Sequence, residues 1–335
     1  MPLYLTEAEV RTVLDERDPH LGGLVDAFER AFAVYAAGEV ITPPSERIRL
    51  VYPKGANVRP YNKDMRILPA LLPTMGSAGL RVGCTGEIPG TNGKHGSTSY
   101  TILLDFESMS TLAIIEDHYL HGVRSGVPSG VAVRHLANPG APSVGVIGAG
   151  RISRVQLAVT LGEVQASSVL VYSRNAENRE RFAREQAELL GVDVTVCDSA
   201  DEVAARSDIL LCATNSHNKP VFDGNVLRVG CLVASVTPGE LDEATALRGL
   251  TILSSSNRVA TDYTPQEPIA SLIKSGQLSL DALPTIGEIV AGTATGRRTP
   301  DDIVLFFSPG IGFLDLVAAR YAYDRAAEAG LGTHV

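Results

Sequence analysis

The chain has 335 residues, of which 44% are hydrophobic and 20% charged, with a formal net charge of −9 at pH 7. Such a length predicts about two domains, each with its own core, and the negative balance excludes a general nucleic-acid or anionic-membrane binder. No basic start runs into an apolar segment, and no apolar stretch approaches the ~20 residues of a membrane span, so the expected location is the cytoplasm.

Residues 6–37 predict helix, opened by a Thr6/Glu9 capping box and broken at Asp18-Pro19. ERIRLVY (46–52) alternates charged and apolar residues, as a half-exposed strand does, with Arg47 and Arg49 on one face. A polar loop is expected over 53–64, and strands over 65–72, 78–84, 98–104 and 111–115. Between the middle pair lies GCTGEIPGTNGKHGST (83–98), which reads as a long functional loop. Residues 117–136 read as one helix kinked at Pro128.

Asn138-Pro139-Gly140-Ala141-Pro142 marks a boundary, and strands and helices alternate beyond it. A strand and turn are predicted at 143–150 and strands at 168–174, 192–197, 209–214, 231–236 and 250–254, with helices at 151–162, 176–190 and 200–206. That order predicts a parallel sheet covered by helices. A last strand in IVLFFS and an apolar-faced helix from Phe313 to Ala329 close the chain. Cys84, Cys197, Cys212 and Cys231 form no C-x-x-C pair, so no metal site is expected from them.

The strongest motif is Val144-Gly145-Val146-Ile147-Gly148-Ala149-Gly150-Arg151-Ile152-Ser153, a strand entering G-x-G-x-x-S. Gly148 permits the tight turn, Gly150 lets a pyrophosphate approach the backbone, and Ser153 is small enough for close helix–strand packing. The helix that starts there offers free N–H groups and its positive end to phosphate. The next strand ends Tyr172-Ser173-Arg174-Asn175, without the acid that holds the ribose 2′-hydroxyl of NAD. Ser173, Arg174 and Asn175 suit a 2′-phosphate, so NADP(H) is expected over NAD(H).

Further matching stretches are LPALLP (68–73), AGLRVG (78–83), SDILLCATNSHNKPVF (207–222), GELD (239–242), GEIVAGTATGR (287–297) and SPGIGFLDLVAARYAY (308–323). In this order and spacing the chain resembles the ornithine cyclodeaminase/mu-crystallin family over nearly its whole length. The resemblance implies a homodimer. It implies a mixed α/β N-terminal substrate and dimerisation domain, residues 1–138 with 313–335, and a Rossmann-type NAD(P)-binding domain, residues 139–312. It also implies hydride exchange at the C–N bond of a small anionic amino or imino acid. The family's carboxylate-gripping arginine matches Arg47, with Arg49 the near alternative, and its R-T-A arginine matches Arg124. Thr214 and Asn215 fall in its T-x-S segment near the nicotinamide ribose. Ser235, Val236 and Gly310 fall beside the ring.

Two departures stand out. The family's lysine is Arg81 here, which binds carboxylates but keeps its proton. The stretch after the strand at 231–236 lacks the cyclodeaminase aspartate, and Glu240 and Asp242 match only the family's general E-L-D. The favoured function is therefore an imine reductase or amino-acid dehydrogenase, with Arg81 and Arg124 catalytic. Glu87, Lys94 and His95 are candidate proton donors in the glycine-rich loop, and His95 a candidate substrate ligand. A cyclodeaminase, and a non-catalytic ligand binder of the mu-crystallin type, are the alternatives.

Overall fold

The computed structural model describes residues 1–15, 21–43, 46–50, 63–88, 95–216, 219–257, 259 and 265–335, with the backbone alone described at Arg47, Arg49, Leu50, Glu87 and His95. The expected break at Asp18-Pro19 and most of the loop 53–64 lie outside the described residues. Strands follow in chain order as β1 (Leu3–Leu5), β2 (Glu46–Leu50), β3 (Lys63–Leu72), β4 (Ser77–Glu87), β5 (His95–Asp105), β6 (Thr111–Glu116) and β7 (Ser143–Ile147). They continue as β8 (Ser168–Tyr172), β9 (Val194–Val196), β10 (Ile209–Cys212), β11 (Leu232–Ser235), β12 (Leu250–Leu253), β13 (Val304–Phe307) and β14 (Thr333–His334). The chain forms two compact units: Met1–Val13 with Gly38–His121 and Ile311–Val335, and Leu14–Ala37 with Gly122–Gly310.

The first unit holds a mixed sheet in the order β14-β1-β6-β5-β4-β3-β2. Strands β2 to β6 are an antiparallel meander, and β1 joins β6 in parallel. Most of the glycine-rich stretch 83–98 is strand rather than loop: β4 and β5 pair from Ser77↔Asp105 out to Glu87↔His95. Composition suggested a loop, but the continuous β4–β5 ladder satisfies the backbone and overrides it. The C-terminal helix Gly312–Glu328 packs on this sheet. Gly79 stands at φ +142°, and a Cβ there would sit 2.1 Å from the Ile102 carbonyl oxygen and 3.3 Å from Leu316. Farther along, Arg320 donates to the Gly76 carbonyl at 3.3 Å and Arg325 to that of Val13 at 3.1 Å.

The second unit holds a fully parallel sheet in the order β12-β13-β11-β10-β7-β8-β9. Every residue of β7, β10, β11 and β13 is buried, as a sheet covered on both faces requires. Strand order reverses between β7 and β10, and the carboxyl ends at such a switch point form a ligand crevice.

The expected single helix over 117–136 is two, Asp117–Gly126 and Pro128–Leu136. Pro128 begins the second, where a missing N–H leaves no bond unmade. Their glycines at four-residue spacing meet the helix Arg151–Glu163 at the same spacing. Cβ atoms at Gly122, Gly126 and Gly130 would lie 3.1 Å from Arg151, 2.7 Å from Val155 and 3.1 Å from Val159. The glycines thus let the Arg124-bearing helix lie directly on the helix that opens the nucleotide turn. No described helix is long and apolar enough to cross a membrane.

Candidate active site

Gly148 has φ +112°, and its N–H donates to the Tyr172 carbonyl at 2.9 Å. A Cβ there would lie 2.4 Å from the Ala213 carbonyl oxygen, so only glycine fits. Ser153, fully buried, supplies the small third position. Gly150 precedes the helix Arg151–Glu163 with open space over its Cα and no side chain capping the helix. The first N–H groups of that helix are thereby left for an anion from outside.

A cleft of about 1160 Å³ opens in front of this turn. Gly148, Gly150, Arg151 and Ile152 line one part of it, Ser173, Arg174 and Asn175 another, and Thr214 and Asn215 a third. Arg174 reaches across to donate to the Asn215 carbonyl at 3.4 Å. Asn175 also caps the helix Ala176–Leu190, accepting from Asn178 N at 2.8 Å. Among the described residues, the charged ones lining the cleft are Arg151, Arg174, Lys219 and Asp201. A local excess of cations in a chain of net charge −9 marks an anion site. The uncapped helix end, the glycine turn and these cations fit a dinucleotide pyrophosphate.

Ser235, Val236 and Gly310 are not among the residues that line this cleft, whereas Thr237, which the motif did not single out, lines it. Ser235 is buried and donates to Glu240 at 2.8 Å. Glu240, wholly buried, also accepts from Thr214 N at 2.6 Å, Thr214 Oγ1 at 2.8 Å and Thr237 N at 3.1 Å. Burial pushes its carboxyl pKa up, against the pull of the Ser235, Thr214 and Thr237 donors. The E-L-D match was the only signal of it in the sequence.

Arg124 is 5% exposed and its guanidinium lies against Gly310, where a Cβ would come within 1.9 Å of Nη1. The two predicted residues are thus neighbours in the second unit.

In the first unit Arg81 is 8% exposed. Its Nε donates to Asp117 Oδ2 at 2.5 Å and lies 3.7 Å from Asp315 on the C-terminal helix. Thr101 Oγ1 donates to the other Asp117 oxygen at 3.2 Å. Burial alone would lower the Arg81 pKa, but Asp117 and Asp315 raise it, so the guanidinium stays charged. Its terminal nitrogens lie over Gly83, 3.2 and 3.4 Å from where a Cβ would be. Asp117 and Asp315 went unnoticed in the sequence, because only the fold brings them to Arg81. Position 47 pairs with 66 and position 49 with 64, while 81 pairs with 68 and 101. The side chains of Arg47, Arg49, Glu87 and His95, and all of Lys94, lie outside the described residues.

The model of the ornithine cyclodeaminase/mu-crystallin family matches residues 8–330. A Delta(1)-pyrroline-2-carboxylate reductase of Bacillus thuringiensis subsp. konkukian is 27% identical over 276 residues, 80% of this chain and 83% of that protein. The solved Thermococcus litoralis Delta(1)-pyrroline-2-carboxylate reductase in complex with NADH and L-proline superposes with a TM-score of 0.82 at 27% identity, covering 99% of this chain and 100% of that one. An archaeal alanine dehydrogenase dimer with bound NAD gives 0.81 at 26% identity, covering 100% and 98%. The chain therefore belongs to the ornithine cyclodeaminase/mu-crystallin family, and its second unit is the Rossmann-type sheet expected of it.

Proposed function

We propose that the protein is an NAD(P)H-dependent oxidoreductase that reduces the carbon–nitrogen double bond of a small anionic imino acid, or runs the reverse oxidation of the amino acid. The observation that carries this is the Gly148–Gly150 turn, with its uncapped helix end opening on a basic cleft. A bound nicotinamide supplies or accepts the hydride. The chain's own residues bind and orient. Arg81, fixed by Asp117 and Asp315, presents its terminal nitrogens to a substrate carboxylate, with Arg47 or Arg49 as a second grip. Arg124, pressed on Gly310, stabilises negative charge that develops in the reaction.

NADP(H) is the preferred form in this reading. The strand β8 ends without an acid for the 2′-hydroxyl, and Arg174 stands in the cleft at that point for a 2′-phosphate. The protein acts as a homodimer in the cytoplasm, like the dimeric archaeal relative in its assembly. Cyclodeaminase chemistry is the weaker reading. Arg81 keeps its proton, and Ser235-Val236-Thr237-Pro238 supplies no acid after β11.

The test is the initial rate of NADPH and NADH oxidation with cyclic imino acids, and with 2-oxo acids plus ammonia or amines. Turnover with one class supports the reading. Tight nucleotide binding without turnover on any of them overturns it in favour of a cyclodeaminase or a ligand binder.

A further inference from the structure

Glu240 is a wholly buried carboxylate that no part of the reaction described so far employs. It sits one hydrogen bond behind the cleft wall and joins the ends of two neighbouring strands. One oxygen accepts from Thr214 N and Thr214 Oγ1, just past β10, at 2.6 and 2.8 Å. The other accepts from Ser235 Oγ, at the end of β11, and from Thr237 N, at 2.8 and 3.1 Å. A further bond runs from Thr237 Oγ1 to the Thr214 carbonyl at 2.9 Å and closes the ring. Thr214 and Thr237 themselves line the cleft.

Four donors saturate the four acceptor directions of an ionised carboxylate and require no proton on it. Structural tying alone needs no charge, since an uncharged side chain of the same reach would bridge the strands. A carboxylate here places a negative charge in a low-dielectric wall beside the cleft, where its field is little screened. The two redox states of a nicotinamide differ by one positive charge on the ring, so such a field acts on them unequally.

We propose that Glu240 is a positioning residue for the nicotinamide half of the dinucleotide, which fixes Thr214, Ser235 and Thr237 together and favours the oxidised, cationic ring over the reduced, neutral one. The proposal rests on the dinucleotide reading of the cleft. It adds that one buried carboxylate sets the balance between the two cofactor states.

The experiment measures dissociation constants of the purified full-length protein for the oxidised and reduced cofactor, with circular dichroism and melting temperature as controls for folding. E240Q is expected to weaken the oxidised form by about fivefold or more relative to the reduced form, which is also a shift in the potential of the bound couple. E240D keeps the charge with shorter reach, and S235A removes one donor and no charge. Both are expected to weaken the two forms together, leaving their ratio within about twofold of wild type. An unchanged ratio in a folded E240Q overturns the electrostatic role. Unchanged affinities in both E240D and S235A overturn the positioning role, and these two decide that role should E240Q not fold. Wild-type protein that binds neither cofactor form would instead overturn the dinucleotide reading itself.

Discussion

The guanidinium of Arg124 lies against the α-carbon of Gly310, where a Cβ would stand 1.9 Å from Nη1 and 2.6 Å from Cζ. The arginine's position therefore depends on residue 310 having no side chain. G310A is expected to push the guanidinium aside and lower kcat by about 100-fold, while cofactor affinity changes by less than about tenfold. Steady-state kinetics and a cofactor titration check this, and an active G310A would show that Arg124 need not sit there.

Arg81 holds two fully buried aspartates together. R81A takes away their cation and should cost about 3–5 kcal/mol, a fall in melting temperature on the order of 10 °C. R81K keeps a charge and should recover most of that stability. In both variants KM for the substrate should rise roughly tenfold or more, with cofactor affinity unchanged. Wild-type KM in R81K would confine Arg81 to a structural role.

The local parts of this site are legible in the sequence, and the non-local parts are not. Gly148, Gly150 and Ser153 announce the nucleotide turn because their spacing is itself the geometry the turn needs. Arg81 is also visible, but its meaning depends on Asp117 and Asp315, which come from another helix start and from the C-terminal helix. Glu240 likewise means little until β10 and β11 lie side by side. The glycine, serine and threonine of 83–98 read as a loop because composition carries no record of the cross-strand partner that makes them strand. The helices on either side of Val127 read as one because their apolar period continues through Pro128.

Arg174 lines the cleft at the end of β8 and bonds the Asn215 carbonyl at 3.4 Å. R174A is expected to weaken NADPH binding by about tenfold and leave NADH within about twofold. Fluorescence titration of both cofactors checks it. Equal losses for the two would mean that Arg174 does not contact a 2′-phosphate.

Glu29, on the helix Leu24–Ala36, accepts from Arg134 at 2.5 Å and contacts His135. Burial raises its pKa, but the bonds to His135 and Arg134 outweigh that and hold it below the ordinary 4.5. A depressed carboxylate adds stability that is present above the unfolded value and lost as pH falls through the folded one. Wild-type melting temperature should therefore drop as pH falls below 4.5. E29Q should melt lower at pH 7 and show a shallower acid decline. Identical curves for the two proteins would show that this cluster adds nothing to stability.

The proposed reaction is hydride transfer to the carbon of a C–N bond. The most direct measurement supplies reduced cofactor carrying deuterium at the transferable C4 position to the imino-acid and oxo-acid panel, and examines the amino acids formed by mass spectrometry. Hydride transfer to that carbon yields a product with one deuterium on its α-carbon, formed in step with cofactor oxidation. Unlabelled product, or ammonia released from ornithine without net oxidation of the cofactor, would contradict it.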